Sequence, residues 1–315
     1  MGDLLDRRLI FVTGKGGVGR TTVAASIALL AAERGRRVLV CEVDAKGNLA
    51  DSFETTPTGF DAREISPGLW AMSMDTEASL RQYLSLQLKL PVLARIGPLA
   101  KMFDYVATAA PGVKEIVTVG KLCWEVREDH YDTVVVDASA SGHVVSQLAA
   151  PQAINQLVKV GLVRLQTGWM LDILGDAATT GAVVVATPAE MPVSETLQLV
   201  ERLRDETAVH LAAVVVNRVL PELFSRGEEE LFERLDTDGP SSALDAGLGV
   251  DSRPLFDAAR LMVSARRSRT EHLERLRAGI DGSVPLLYVP YLFLRSHGLR
   301  ATHQVADALA AELGY

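Results

Sequence analysis

The stretch FVTGKGGVGRTTVAASIALL, residues 11–30, decides the fold. It passes from an apolar run through a cluster of glycines into an alanine-rich helical segment. Gly14 and Gly19 stand at the spacing of G-x-x-x-x-G-K-[ST] and Thr21 supplies the hydroxyl, but the lysine of that pattern is Arg20. In such a turn Gly14, Gly16, Gly17 and Gly19 let successive backbone N–H groups line a concave nest at the positive end of the next helix, which is a seat for phosphate. Val18, Arg20 and Thr22 belong to the same loop. Arginine keeps the charge but replaces a compact ammonium with a planar fork, so nucleotide binding is expected to survive better than turnover, which depends on alignment.

Working outward, further apolar runs alternate with amphipathic stretches: RVLVCEV, LWAMSM, DTVVVDA, AVVVAT, LAAVVVN and VPLLYVP. Runs rich in Val, Ile and Leu without polar alternation suit a parallel sheet covered on both faces. The expected fold is therefore α/β, doubly wound, with seven or eight mostly parallel strands and right-handed crossovers. Helix one should end at Gly35, a natural left-handed residue after a helix, and the next strand should carry Cys41 inward. Segments at about 79–128 and 152–174 read helical and predict a small helical layer on a single domain spanning 1–315. The stretch 234–253, rich in Gly, Ser and Asp, reads as a surface loop.

Composition narrows the function. A formal charge of -8 argues against a surface that holds nucleic acid by neutralising phosphates. The opening MGDLLDRRLIFV is no signal peptide, and no window approaches the ~20 apolar residues of a spanning helix, so a cytoplasmic chain without an integral membrane segment is expected. Cys41 and Cys123 lie far apart without a C-x-x-C or clustered histidines and read as buried apolar thiols rather than as zinc or disulfide partners.

Two carboxylates follow apolar runs. Asp44 stands at a strand end, where a carboxylate can orient an attacking water. Asp137 ends the run TVVV, where it can hold the water shell of Mg²⁺ while Thr21 binds the metal. Gly142 offers an unhindered N–H to a γ-phosphate. Asn217, in VVVNRVLP, either reads an adenine edge or caps its strand, and Pro290, ending the last apolar run, is counted with the nucleotide-binding residues.

These motifs carry a resemblance. The loop GKGGVG, with Lys15 directly after its first glycine, resembles the deviant phosphate loop of the family that includes nitrogenase iron protein, partition and septum-site ATPases, the arsenite-pump ATPase and the tail-anchored-protein targeting ATPase. VDAKGNLADSF, residues 43–53, is similar to the switch I sequence of the last two, matching at Asp44, Asn48, Leu49, Asp51 and Phe53, with Ala45 and Gly47 in place of Pro and His. DASASGH, residues 137–143, is similar to their switch II, and Asn217 matches their adenine-side strand. Glu195 matches the start of a helix in the family, where with Ser194 it reads as helix N-terminal chemistry.

The resemblance implies an ATPase that binds ATP or ADP with Mg²⁺ held through Thr21, Asp44 and Asp137, with Asp44, Lys15 and Arg20 catalytic. It implies that Lys15 crosses a dimer interface to the nucleotide of the other subunit, in a homodimer or a heterodimer with a paralogous ATPase, and that nucleotide state is coupled to an unidentified protein client. A regulatory pseudo-ATPase subunit is the alternative, and a partition or septum-positioning switch a weaker one. Thiolates near switch II are missing, which excludes the iron–sulfur branch. Arsenite-binding cysteines, a zinc pair and the long methionine-rich insertion of the targeting ATPase have no counterparts either.

Overall fold

A computed structural model of the chain describes residues 4–44, 47–88, 112–222, 224–237, 245, 247, 249, 251–294 and 298–315. The strands are β1 (Leu9–Gly14), β2 (Val38–Glu42), β3 (Arg63–Ser66), β4 (Leu69–Ser73), β5 (Thr133–Asp137), β6 (Thr180–Ala186), β7 (Leu211–Val219) and β8 (Leu286–Pro290). They form one eight-stranded sheet in the order β3-β4-β2-β5-β1-β6-β7-β8. Every pairing is parallel except that of β3 with β4.

Successive residues of the central strands point to opposite faces, and both faces are buried, which is why these runs show no polar alternation. Ile10, Val12, Val40, Val135, Val183 and Val215 pack on one side with Ile27 and Leu309. Leu9, Phe11, Leu39, Val134, Val136 and Val184 pack on the other with Leu122, Leu148 and Leu203. Cys41 and Cys123 are fully buried in this second cluster, and burial drives both thiols well above the ordinary cysteine range.

The first side is covered by α1 (Arg20–Glu33) and, further along the chain, by the final helix. Gly35 ends α1 as expected, with φ of 82° and its N–H on Ala32 O at 2.9 Å. The helices that follow are α2 (Asn48–Ser52), α3 (Thr76–Leu88), α4 (Val113–Arg127), α5 (Ser141–Leu157), α6 (Leu162–Gly175), α7 (Glu190–Glu206), α8 (Arg226–Thr237), α9 (Arg253–Gly279) and α10 (Leu299–Leu313).

Two local expectations need correction. The stretch 152–174 is helical, but as parts of two helices, α5 and α6, separated around Gly161, whose φ of 93° is costly for any residue with a Cβ. The expected loop 234–253 begins inside α8 and ends at α9, and the rest of it falls mostly outside the described residues. Ser194 does not start its helix. It lies one turn inside α7 and donates to Glu190 O at 2.8 Å, while the helix opens after Ala189. Of the helical segment expected at about 79–128, α3 and α4 are described and residues 89–111 lie outside.

Candidate functional site

The loop between β1 and α1 sits at the carboxyl end of a central strand, where parallel sheets place their ligands. Its glycines are required by geometry. Gly14 has φ of 152° and Gly19 has φ of 96°. A Cβ on Gly14 would press into the backbone carbonyl of Val185, and one on Gly19 into the Asn217 amide. At Gly16 and Gly17 a Cβ would meet nothing within 4 Å, so this side of the loop is open. Val18 is buried and anchors the loop from below.

Asp137 ends β5 beside β1, and its Oδ2 accepts the Thr21 hydroxyl at 2.6 Å. Its other oxygen, Oδ1, is buried with no hydrogen-bond partner. Burial pushes the Asp137 carboxyl up from 3.8 to about 6, opposed by the Thr21 hydrogen bond and the Arg20 charge and helped by Glu42 and Asp44. A buried carboxylate oxygen without a partner, beside a hydroxyl and near the acids Glu42 and Asp44, fits a divalent cation. The described residues hold no cluster of three or more metal-ligating His, Cys, Asp or Glu side chains.

Arg20 turns its guanidinium onto the Ala138 carbonyl, one residue beyond Asp137. Thr13 Oγ1 donates to Ser139 O at 3.1 Å, so both ends of the loop are tied to the turn after β5. Gly142 and His143 stand exposed in the first turn of α5, and a Cβ on Gly142 would meet nothing within 4 Å. Asp44 is exposed just beyond β2 and has partners of its own.

Lys15 makes an ion pair with Glu195 of α7 in the same chain, both side chains being about one-third exposed. Glu195 therefore meets the loop itself, which its reading as helix N-terminal chemistry did not foresee. Asn217 donates from Nδ2 to Val18 O at 2.9 Å and accepts from Arg218 N at 2.9 Å. Its amide clamps the loop and keeps one N–H and one lone pair for another partner. The next residue, Arg218, holds φ of 60°, an unusual backbone for a side-chain-bearing residue, where the β7–β8 register slips. Pro290 ends β8 beside Val219, followed by the exposed aromatic pair Tyr291 and Phe293.

One contributor was not singled out in the sequence. Glu42 is buried at the end of β2 and accepts the Gly47 and Asn48 N–H groups at 3.1 and 3.0 Å, fixing the start of α2. An acid inside the run RVLVCEV was the available signal.

A glycine nest between strand and helix, a hydroxyl and a half-satisfied strand-end carboxylate together define a P-loop nucleotide-binding protein. The profile of the anion-transporting ATPases matches residues 7–167. ATPase BagA of Mycobacterium tuberculosis is 30% identical over 324 residues, covering 97% of this chain and 93% of that protein. ATPase GET3 of Chaetomium globosum is 32% identical over 201 residues, 62% of this chain and 57% of that protein. The chain belongs to the anion-transporting ATPase family, an ATP-binding group of the arsenite-pump type. Among the described residues, no helix is long and apolar enough to cross a membrane.

Proposed function

We propose that this chain binds Mg–ATP and hydrolyses it slowly, as a cytoplasmic switch that dimerises with nucleotide and passes its state to a protein client. The Thr21–Asp137 pair, with its unpartnered Oδ1 at the mouth of the glycine nest, carries this reading. Loop amides hold the phosphates, Thr21 and Asp137 hold Mg²⁺ with Asp44 nearby, and Gly142 offers its N–H to the γ-phosphate. Bound Mg²⁺ offsets charge on the transferring phosphoryl group. The base lies on the side of Asn217 and Pro290. Lys15 reaches across to the partner's nucleotide, whether the partner is a second copy or a paralogous ATPase.

A regulatory pseudo-ATPase is the second reading, supported by Arg20, whose guanidinium is already spent on the Ala138 carbonyl. A partition or septum-positioning switch that binds through its terminal helix is disfavoured, because α10 turns Ala301, Val305, Ala306 and Leu309 into the core and so has no free apolar face of its own.

Turnover of two variants tests the proposal. Arg20→Lys is expected to raise hydrolysis about tenfold or more, since a point charge fits the nest better than a fork. Asp44→Asn is expected to lower whatever rate the parent shows. An Arg20→Lys chain no faster than the parent would show a site adapted to the guanidinium, and an unchanged Asp44→Asn rate would remove Asp44 from the chemistry.

A further inference from the structure

The connection between α5 and α6 presents apolar side chains to solvent. Leu157 is 80% exposed, Val160 82% and Leu165 70%. Beneath them the two helices are locked together. Asn155 Nδ2 donates to Thr167 Oγ1 at 2.7 Å, Arg164 donates to Asn155 O, and Thr167 Oγ1 donates to Val163 O at 3.0 Å. The apolar groups therefore stand on a braced tip. Behind it, Val163 is shared with a cavity of about 270 Å³ lined by Leu80, Val117, Ile154, Trp169 and Met170.

The charge pattern of this tip is unlike that of the rest of the chain. Between Asp137 and Asp172 there is no acidic residue, while Lys159 and Arg164 flank the exposed leucines and valine; the whole chain carries 40 acids and a charge of -8. Large apolar side chains left in water mark an interaction surface. Two kinds of partner suit apolar groups with a cationic rim: an apolar protein segment or a bilayer. A groove that shelters a protein segment keeps its apolar side chains partly covered on concave walls. Side chains more than two-thirds exposed have no such walls around them and suit entry into an interface from above, as the apolar residues of peripheral membrane proteins do.

We infer that the α5–α6 tip docks on a bilayer surface bearing anionic headgroups, with Leu157, Val160 and Leu165 entering the headgroup–acyl boundary and Lys159 and Arg164 meeting lipid phosphates. Attraction by the two cations is screened over a Debye length of about 10 Å at 0.1 M salt, so binding weakens as salt rises. Because α5 starts at Ser141, directly after the switch II motif, the docked tip sits on the helix that leads from the candidate nucleotide site. Docking itself requires no turnover.

Co-sedimentation of the full chain with phosphatidylcholine vesicles, with and without phosphatidylglycerol, tests this. The chain is expected to pellet with the anionic vesicles and to remain largely in the supernatant with the zwitterionic ones. A triple variant, Leu157→Ser with Val160→Ser and Leu165→Ser, should lose about tenfold or more in partitioning, with its thermal unfolding unchanged. Lys159→Glu alone, a single exposed change, should weaken binding to anionic vesicles severalfold and serves if the triple variant does not fold. A parent chain that pellets with neither vesicle, or a variant that pellets as well as the parent, overturns the inference. So does binding of a soluble apolar peptide at this tip without vesicle partitioning, which assigns the tip to a protein segment.

Discussion

Asp137→Asn is expected to cut ATP turnover about a hundredfold or more while making the nucleotide-free chain more stable above about pH 6. The two effects share one cause. Asp137 is held nearly out of water, with one oxygen on Thr21 and the other without a partner, so its ionised form is costly until a cation arrives. Losing a preorganised charge at the reacting phosphates commonly costs two to three orders of magnitude. Without ligand, the raised carboxyl, about 6 in the fold against 3.8 in the unfolded chain, means that the native state holds its proton more tightly. Between those values the native state binds more protons than the unfolded one, so stability falls as pH rises and the penalty is complete above about pH 6. At 1.36 kcal/mol per pH interval the penalty is on the order of 2–3 kcal/mol. Denaturant midpoints from pH 4 to 7 should therefore show the parent losing stability relative to Asp137→Asn as pH increases. A variant that is less stable throughout, or that turns over at the parent rate, removes the metal-holding role.

The second large effect separates two roles for Lys15. In the single chain its amine pairs with Glu195. If that pair were its whole purpose, Lys15→Ala and Glu195→Gln would behave alike. If Lys15 serves the nucleotide of another subunit, the two changes diverge. Lys15→Ala should lower hydrolysis at least tenfold in the assembled dimer, because a cation at the transferring phosphates is lost. Glu195→Gln should release the lysine from its own chain and tighten nucleotide-dependent dimerisation, leaving hydrolysis at or above the parent rate. Sedimentation velocity with ATP, alongside steady-state turnover of both variants, decides between them. Equal losses in the two variants would confine Lys15 to a structural pair.

Seven of the eight strands were legible as apolar runs, most plainly β1, β2, β5 and β6, which are buried along their whole length and have little else to be. The eighth, β3, reads REIS and is exposed along an antiparallel edge, so it buries too little to leave a pattern. The long α9 escaped notice for a related reason: Leu276 is its one described residue that is fully buried, and most of its surface faces solvent. The break between α5 and α6 had only Gly161 to announce it, and a single glycine in a helical pattern is ordinarily tolerated. Within the site, Gly14, Gly19 and Thr21 were readable from the covalent spacing of the loop, and Asp137 from its place at the end of the apolar run TVVV. The pairing of Lys15 with Glu195 and of Asn217 with Val18 joins residues remote in sequence, and such partners are chosen by the packing of α7 and β7 on the sheet rather than by any local spacing. Arg20 was visible as an anomaly, but its rest position on the Ala138 carbonyl was not, because a long guanidinium has several acceptors within reach.

Calorimetric titration of the purified chain with ATP, in the presence of Mg²⁺ and then of a chelator, addresses the glycine nest and its metal pair directly. The account predicts saturable binding of one nucleotide per chain with a Kd below about 1 mM, corresponding to more than about 4 kcal/mol of binding free energy, weakened severalfold on removing Mg²⁺ and by Asp137→Asn. No heat of binding at millimolar nucleotide, with Mg²⁺ present, would contradict it.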